Sequence, residues 1–526
     1  MTRSVNRTEL SPLTFLNRAM AMFADRTAVV AGDRRYTYEE FGSRVQRLAA
    51  GLRASGVESG TSVAVLSPNT PAMLESQFGI PAVGGVVVNV NTRLSATEVD
   101  HILQHSEAQL LLADEQFRAL VEETSFPPDR VQWIKDSGGP DDPYELFLAD
   151  ADARRPFVVE PPASEDQPLS INYTSGTTGP PKGVVYSHRH AYLSAIGQIV
   201  ESGMRYDSAI LWSLPVFHAH GWGYVWSVTA MGGKHVCQRD VDYAQIWNLL
   251  EAEQITHHNG APVVHTNVAF HPRAHTLAKT VTAMVSGAPA STKLFARLRD
   301  LNFHPVHIYG LTETGSTTVC AWRGEWEHLD VREQAQLLSR QGQAFIVSDP
   351  VRVVGLDHED VPADGTTVGE VRMRGNLVMS HYHRDPDATA EAFAGGWLHS
   401  GDLAVVHPDG YIELRDRKKD IIVSGGENIA SVEVEQTLTS HPGVMEAAVV
   451  ARPSEKWGER PVAFVVLSDP SVSTEELKTY CRERLAHFKC PDDISIVDDL
   501  PRTATGKIRK LSLREDLWKG HAHRIH

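Results

Sequence analysis

Tyr173-Thr-Ser-Gly-Thr-Thr-Gly-Pro-Pro-Lys-Gly183 crowds three glycines, five hydroxyl side chains and one lysine into eleven positions. Gly176, Gly179 and Gly183 let the backbone turn through positive φ and bring N–H groups close to an anion. Thr174, Ser175, Thr177 and Thr178 add hydroxyl donors, and Lys182 adds a charge that can follow a polyphosphate. The run is not a P-loop, which requires Gly-Lys-Ser/Thr in register, because Pro181 precedes Lys182 and Gly183 follows it. Taken alone, a Gly-rich stretch is more often a surface loop. Here the apolar segments Leu169–Asn172 and Val184–Tyr186 predict a strand on either side, so the loop is held in place.

Outward from this loop, short β-branched runs alternate with helical patterns. Ser62–Leu66, Gly85–Asn89, Gln109–Leu112 and Val131–Lys135 read as buried strands between amphipathic segments such as Tyr38–Leu52 and Ala96–Gln104. Ile210–Leu214, Thr282–Ser286 and Val306–Ile308 continue the rhythm, which predicts α/β layers with mostly parallel sheets. From about Gly365 the strands crowd together, over Gly369–Arg374, Leu403–His407 and Gly410–Leu414, and predict a β-rich subdomain. The charge run Arg415–Asp420 follows, where a linker is expected. The remaining hundred or so residues read as a separate small unit of helices and strands. The expected fold class is therefore α/β: a large N-terminal domain of layered α/β subdomains plus a β-rich subdomain, with a small mobile α+β C-terminal domain.

Composition narrows the function classes. A chain of 526 residues has ample length for a large core, and its 42% hydrophobic and 22% charged content is that of a globular protein. A net charge of −16 argues against wide contact with nucleic acid. Cys237, Cys320, Cys481 and Cys490 are too scattered for a disulfide framework or a zinc site, so a cytoplasmic location is expected. Residues 1–20 lack the apolar core of a signal peptide, and Gly79–Val90, broken by Pro81, is too short to span a bilayer. The final His-Ala-His-Arg-Ile-His is not a peroxisomal address of the Ser-Lys-Leu type.

Three further clusters carry possible chemistry. Tyr309-Gly-Leu-Thr-Glu-Thr-Gly315 follows an apolar strand and sets an aromatic face, a hydroxyl and a carboxylate at one sheet edge, where open α/β sheets bind ligands. Glu313 suits Mg2+, which takes one or two carboxylates beside nucleotide phosphates; a capped turn before a helix explains the same residues equally well. Gly396-Trp-Leu-His-Ser-Gly-Asp402 places an Asp in a Gly-flanked turn, with Arg417 about fifteen residues on. Such a pair can hold a ribose, and can as well be a surface salt bridge. Pro501-Arg-Thr-Ala-Thr-Gly-Lys507 would be unremarkable by itself.

In their order and spacing, Tyr173–Gly183, Tyr309–Gly315, Gly396–Leu403, Arg415–Ile429 and Pro501–Lys507 closely resemble the motifs of the adenylate-forming superfamily, over about residues 10 to 512. The superfamily comprises acyl- and aryl-CoA synthetases, firefly-type luciferases and the adenylation domains of peptide synthetases. The resemblance implies ATP, Mg2+ and CoA as cofactors and a small carboxylic acid as substrate. It implies that Thr174, Ser175, Gly176, Thr177, Thr178 and Lys182 handle the β- and γ-phosphates. Gly287, Ala288, Pro289 and Tyr309 match adenine-binding pieces, Thr312 the α-phosphate contact, Glu313 the Mg2+ ligand, and Asp402 with Arg417 the ribose site. Lys507 matches the lysine of the first half-reaction, and Ser424, Gly425 and Gly426 the pantetheine passage. Lys419 falls at the hinge. The implied boundaries are 1–416 for the N-terminal domain, 417–419 for the hinge and 420–526 for a lid domain.

The implied reaction is activation of a hydrophobic acid as its acyl-adenylate with release of pyrophosphate, then transfer to CoA. The alternatives are an enzyme that stops at the adenylate or loads a carrier protein, and a binding protein that has lost catalysis. Leu214-Pro-Val-Phe-His-Ala-His-Gly221 carries His218 where amino-acid-activating relatives have an Asp, so an amino acid is a poor candidate. His218 resembles a residue near the substrate carboxylate, whereas His220 reads more as a core histidine. Trp212, Trp222, Tyr224, Trp226 and Asn259–Val264 are expected around the acyl pocket. Trp322–Gln343 and Ser424–Glu435 resemble most the branch acting on short and medium acids, including plant peroxisomal ligases. The chain departs from it at His220 and in His265–His275, both expected near the pocket. A homodimer is the expected assembly.

Overall fold

The computed structural model describes residues 5–152, 159, 162–174, 181–502 and 507–519. Among these residues two large sheets share one core. The first runs in the order Val131–Ile134, Leu110–Asp114, Ser62–Leu66, Val86–Asn89, Pro168–Thr174 and Lys182–Ser187. Its first five strands are parallel and the last is antiparallel. The second has nine strands, with a parallel centre and antiparallel edges. Tight hairpins make the antiparallel pairs Thr27–Ala31 with Arg34–Thr37 and Phe303–Leu311 with Gly315–Ala321, whereas a parallel return needs a crossover.

The helices between the sheets are buried on several sides. Pro71–Ala82 has every residue buried, and Tyr38–Ala54 packs beside it after a capping box between Thr37 and Glu40. Glu75 lies in this core at 0% exposure and is fully partnered. It accepts from Arg44 Nε at 2.6 Å and from Tyr144 Oη at 2.7 Å, while Arg44 also donates to Glu145 at 2.7 and 2.8 Å. Three helices are thereby tied through one buried charge.

A third, four-stranded antiparallel sheet comprises Arg352–Val354, Gly369–Met373, Leu398–Val406 and Ile412–Arg417. Two readings of the sequence change here. Asp402 does not sit in a turn; it lies within Leu398–Val406, next to Gly401 at φ 68°, and pairs with Arg417 across the sheet. The front of the charge run is likewise strand, since Arg415, Asp416 and Arg417 complete Ile412–Arg417. A charged stretch can form a strand when half of it faces a neighbouring strand and its charges are paired.

The last sheet is separate and is built only from residues after 420. Glu427–Ile429, Ile422–Ser424, Gly458–Leu467 and Val444–Ser454 follow in order, with Asp493–Ile496 parallel to Gly458–Leu467. Its own hydrophobic cluster includes Ile422, Val434, Leu438, Val449 and Leu477. Asp416 ties it to the preceding sheet by accepting from Ser431 Oγ at 2.7 Å, and Lys293 Nζ reaches the carbonyl of Pro442 at 3.1 Å.

Candidate active site

Side chains from both large sheets and from the C-terminal unit converge on one cavity, with about 50 Å3 accessible to the centre of a water molecule. Ser286 and Gly287 follow the strand Val281–Val285, while Ile308, Gly310 and Leu311 end the strand Phe303–Leu311 and Thr312 follows it. His218, Ala219, Trp222 and Trp226 come from the segment after Ala209–Trp212, and Lys507 reaches in from the chain's end. The site thus lies at the carboxyl ends of parallel strands, where the backbone diverges and leaves a crevice.

Tyr309-Gly-Leu-Thr-Glu-Thr-Gly315 is a strand-to-strand hairpin and not a turn into a helix. A Cβ at Gly310 would lie 1.8 Å from the carbonyl oxygen of Gly315, so the two arms of the hairpin can close only without a side chain there. Thr312 lines the cavity, and its carbonyl accepts from Tyr186 Oη at 2.5 Å. Glu313 is half-buried and accepts from Tyr382 Oη at 2.9 Å. The ring of Tyr382 also faces Lys182 Nζ, 4.9 Å from its centroid. Lys182 itself is exposed and pairs in register with Thr174 at the mouth of the hairpin. Ser175, Gly176, Thr177 and Thr178 lie outside the described residues.

Tyr309 donates to Asp402 Oδ2 at 2.8 Å, and Arg417 Nε approaches Asp402 Oδ1 at 3.2 Å. Burial, then the charge of Asp402, pushes the Tyr309 phenol well above its ordinary value, so it remains a donor. Burial alone would lower the Arg417 value, but Asp402 and Asp420 outweigh it and raise it. Lys507 lies beside Gly287, where a Cβ would be 3.7 Å from its Cε. Burial and the nearby Arg417 bring Lys507 down to about 8, with Asp402 and Glu313 opposing. Glu313, the carboxylate expected to hold a divalent cation, is fixed by Tyr382 and only half-buried. Its arrangement fits Mg2+, which needs few protein ligands when phosphate oxygens and water supply the rest.

His218 reaches the cavity at the start of an unusual turn. Ala219, His220, Gly221, Trp222 and Gly223 all have positive φ, of 46°, 55°, 55°, 57° and 83°. Left-handed backbone costs a residue other than glycine roughly 1–2 kcal/mol. The ring of His220 holds the turn: Nδ1 meets Gln77 Oε1 at 2.6 Å and Nε2 meets Ser170 Oγ at 2.7 Å. His220 is thus a hydrogen-bonded core histidine that positions its neighbours. Burial lowers the pKa of His218 to about 3, with Lys507 adding to the effect, so His218 is neutral at working pH.

Several expected residues lie elsewhere. Trp222 and Trp226 line the cavity, whereas Trp212 and Tyr224 belong to the core. Asn259–Val264 does not line it, and of His265–His275 only His265 is buried among the histidines, while His275 pairs with Glu251 at the surface. Gly287 lines the cavity and exposed Pro289, with Ala288, lies outside its wall. Gly425 and Gly426 form the exposed turn of the hairpin between Ile422–Ser424 and Glu427–Ile429, away from the cavity. Tyr186 and His190 line the cavity and Tyr382 bonds Glu313, and the sequence gives no sign of any of the three. Tyr382 carries no motif and arrives through an antiparallel bridge with Val184; Tyr186 was read only as part of a strand.

Two family models match the chain: one described as AMP-binding enzyme over residues 16–383, the other as AMP-binding enzyme C-terminal domain over residues 433–507. The chain is 40% identical to the peroxisomal acetate/butyrate–CoA ligase of Arabidopsis thaliana, over 97% of the chain and 95% of that protein. It is 40% identical to the 2-methylpropanoate–CoA ligase of Humulus lupulus, over 98% of the chain and 96% of that protein. Among solved structures, o-succinylbenzoate CoA synthetase from Bacillus subtilis with its acyl-adenylate intermediate superposes with a TM-score of 0.82. It has 28% identity and covers 98% of this chain and 99% of that one. No helix among the described residues is long and apolar enough to cross a membrane.

Proposed function

The chain belongs to the AMP-binding enzyme family, and on that premise we propose that the acid it activates is a short-chain carboxylic acid held between His218, Trp222 and Trp226. The enzyme is an ATP-dependent acid–CoA ligase: it joins a carboxylic acid to AMP with release of pyrophosphate, then passes the acyl group to the thiol of CoA. The observation that carries the assignment of the site is the convergence of Thr312, His218 and Lys507 on one cavity beside the Tyr309–Asp402–Arg417 cluster. The short chain is supported by the names of the relatives and by two tryptophans in the cavity wall.

The chemistry requires two anions to meet. The carboxylate attacks the α-phosphorus of ATP, a bond forms to oxygen, and pyrophosphate leaves. In our reading Lys507 neutralises the approaching carboxylate and the α-phosphate, and Thr312 donates to the same phosphate. Asp402 takes the ribose diol and Tyr309 carries the adenine face. Glu313, held by Tyr382, is the ligand for Mg2+, which would supply charge neutralisation to the phosphates. Lys182 with Thr174 to Thr178 anchors the departing phosphates. No protein nucleophile is needed. In the second step the thiol attacks the acyl carbonyl and AMP leaves with the electron pair of the carbonyl–oxygen bond.

We divide the chain at 417–419 into an N-terminal domain, a hinge and a mobile lid that begins at 420. The arrangement described has Lys507 in the cavity and Gly425 and Gly426 outside it, which suits the first half-reaction. Rotation about Lys419 would exchange the two for the second half-reaction. A homodimer and a cytoplasmic location are also part of the proposal. Four unbridged cysteines suit a reducing compartment, and the mass in solution reads the assembly. Pyrophosphate release across a panel of carboxylic acids, with and without CoA, tests the reaction. A response to short aliphatic acids and thioester formation only with CoA are the expected results.

A further inference from the structure

One wall of the cavity is polar. The helix His188–Ser202 presents His190, Ser194 and Gln198 four residues apart, on one face, and all three are at least nine-tenths buried. His190 and Ser194 line the cavity, and Gln198 Nε2 donates at 2.7 Å to the hydroxyl of Ser316, which lines it too. Trp226, 1% exposed, closes the same wall, and its ring lies 4.5 Å from that of His220. Two polar atoms of lining residues have no partner, His190 Nδ1 and Trp226 Nε1; Gln198 Oε1, behind the wall, is unpaired as well. Buried polar groups in folded proteins are normally paired, so two unpaired atoms on residues that line one substrate cavity point to a group that arrives with the substrate.

The chemistry of the wall selects that group. Trp226 Nε1–H can only donate, and Gln198 Oε1 can only accept. Leu377 interacts with His190 through its carbonyl and favours a proton on the other ring nitrogen, which leaves Nδ1 as an acceptor. Burial lowers the pKa of His190 to about 3, so the ring offers no positive charge. Among the described lining residues Lys507 is the one cation and there is no Asp or Glu. A second carboxylate would therefore find no counter-charge beyond Lys507 and an ammonium group none at all, while a plain alkyl chain would leave both lining atoms unpaired. A hydroxyl both donates and accepts.

We propose that the preferred acid is a short hydroxy acid, whose chain hydroxyl donates to His190 Nδ1 and accepts from Trp226 Nε1. This rests on the reading of the cavity as the acyl site. The test compares matched pairs, 4-hydroxybutyrate with butyrate and 3-hydroxypropanoate with propanoate, by kcat/KM for pyrophosphate release. The hydroxy acid of one pair is expected to lead by about tenfold or more, because a site built to bind a hydroxyl rejects the analogue that lacks it. Trp226→Phe and His190→Phe, which keep a ring and remove the polar atom, are expected to bring that ratio toward one. Equal use of both members of each pair by the unaltered enzyme, or variants that leave the ratio unchanged, would overturn the inference and leave the ligase reading standing. If no acid of either series gives pyrophosphate release while other carboxylic acids do, the short-chain reading of the site and the inference are refuted together.

Discussion

Tyr382 and Glu313 meet at 2.9 Å, with the phenol donating to the carboxylate while its ring faces Lys182. One side chain thus links the flank of the phosphate loop to the residue proposed to hold Mg2+. Tyr382→Phe keeps the ring and removes the hydrogen bond. It is expected to raise the Mg2+ concentration needed for half-maximal pyrophosphate release and to lower kcat about tenfold, since a hydrogen bond to a charged group is worth about 1.5–3 kcal/mol. A magnesium titration of both proteins decides it; an unchanged curve counts against the role of Glu313.

Lys507 must be protonated to neutralise two anions. Because its value is lowered to about 8, it loses its charge as pH rises through that region. The kcat/KM for adenylation is expected to fall above about pH 8, and Lys507→Arg, which keeps its charge, is expected to remove that limb even if its rate is lower. Lys507→Ala is expected to abolish adenylation while conversion of a preformed acyl-adenylate to thioester survives. Equal loss of both half-reactions would show that Lys507 has another role.

His218, neutral and sharing the cavity with Lys507, is proposed to contact the reacting acid rather than the nucleotide. His218→Ala is expected to raise the KM for the acid about tenfold and to change the KM for ATP by less than about threefold, the scale of one lost hydrogen bond against none. Steady-state kinetics with each substrate varied in turn reads the difference.

The left-handed turn from Ala219 to Gly223 depends on His220. Replacing it with Phe removes the bonds to Gln77 and Ser170 and leaves those partners buried. Stability is expected to fall by about 1–3 kcal/mol, and acid KM to rise, because the turn carries His218 and Trp222. Urea unfolding and acid kinetics should move together; lost stability with unchanged kinetics would show that the turn holds its shape without the imidazole.

Glu75 is far from the chemistry but central to the fold. Glu75→Ala strands Arg44 in the core and is expected to cost about 3–5 kcal/mol. Chemical denaturation at neutral pH measures it, and a change below about 1 kcal/mol would mean that Glu145 and water compensate.

The linear chain carried the fold and the reaction because both depend on local order. Hydrophobic period sets strand against helix, and five motifs in sequence identify the family with Thr174, Thr312, Glu313, Asp402 and Lys507 in place. Where local reading failed, pairing across distance decided. Asp402 was read as a turn residue because Gly401 precedes it, yet the partner strand Ile412–Arg417 extends it. The sequence places the histidines at 271 and 275 near the pocket, but the helix Pro262–Ala269 ends before them, and neither the half-buried His271 nor the exposed His275 lines the cavity. The meeting of Tyr382 with Glu313, the grip of Gln77 and Ser170 on His220, and the unpaired atoms of His190 and Trp226 on one cavity join residues up to 143 positions apart. Their spacing along the chain says nothing of it, because which side chains share a cavity is set by how sheets and helices stack, and that is decided only in three dimensions.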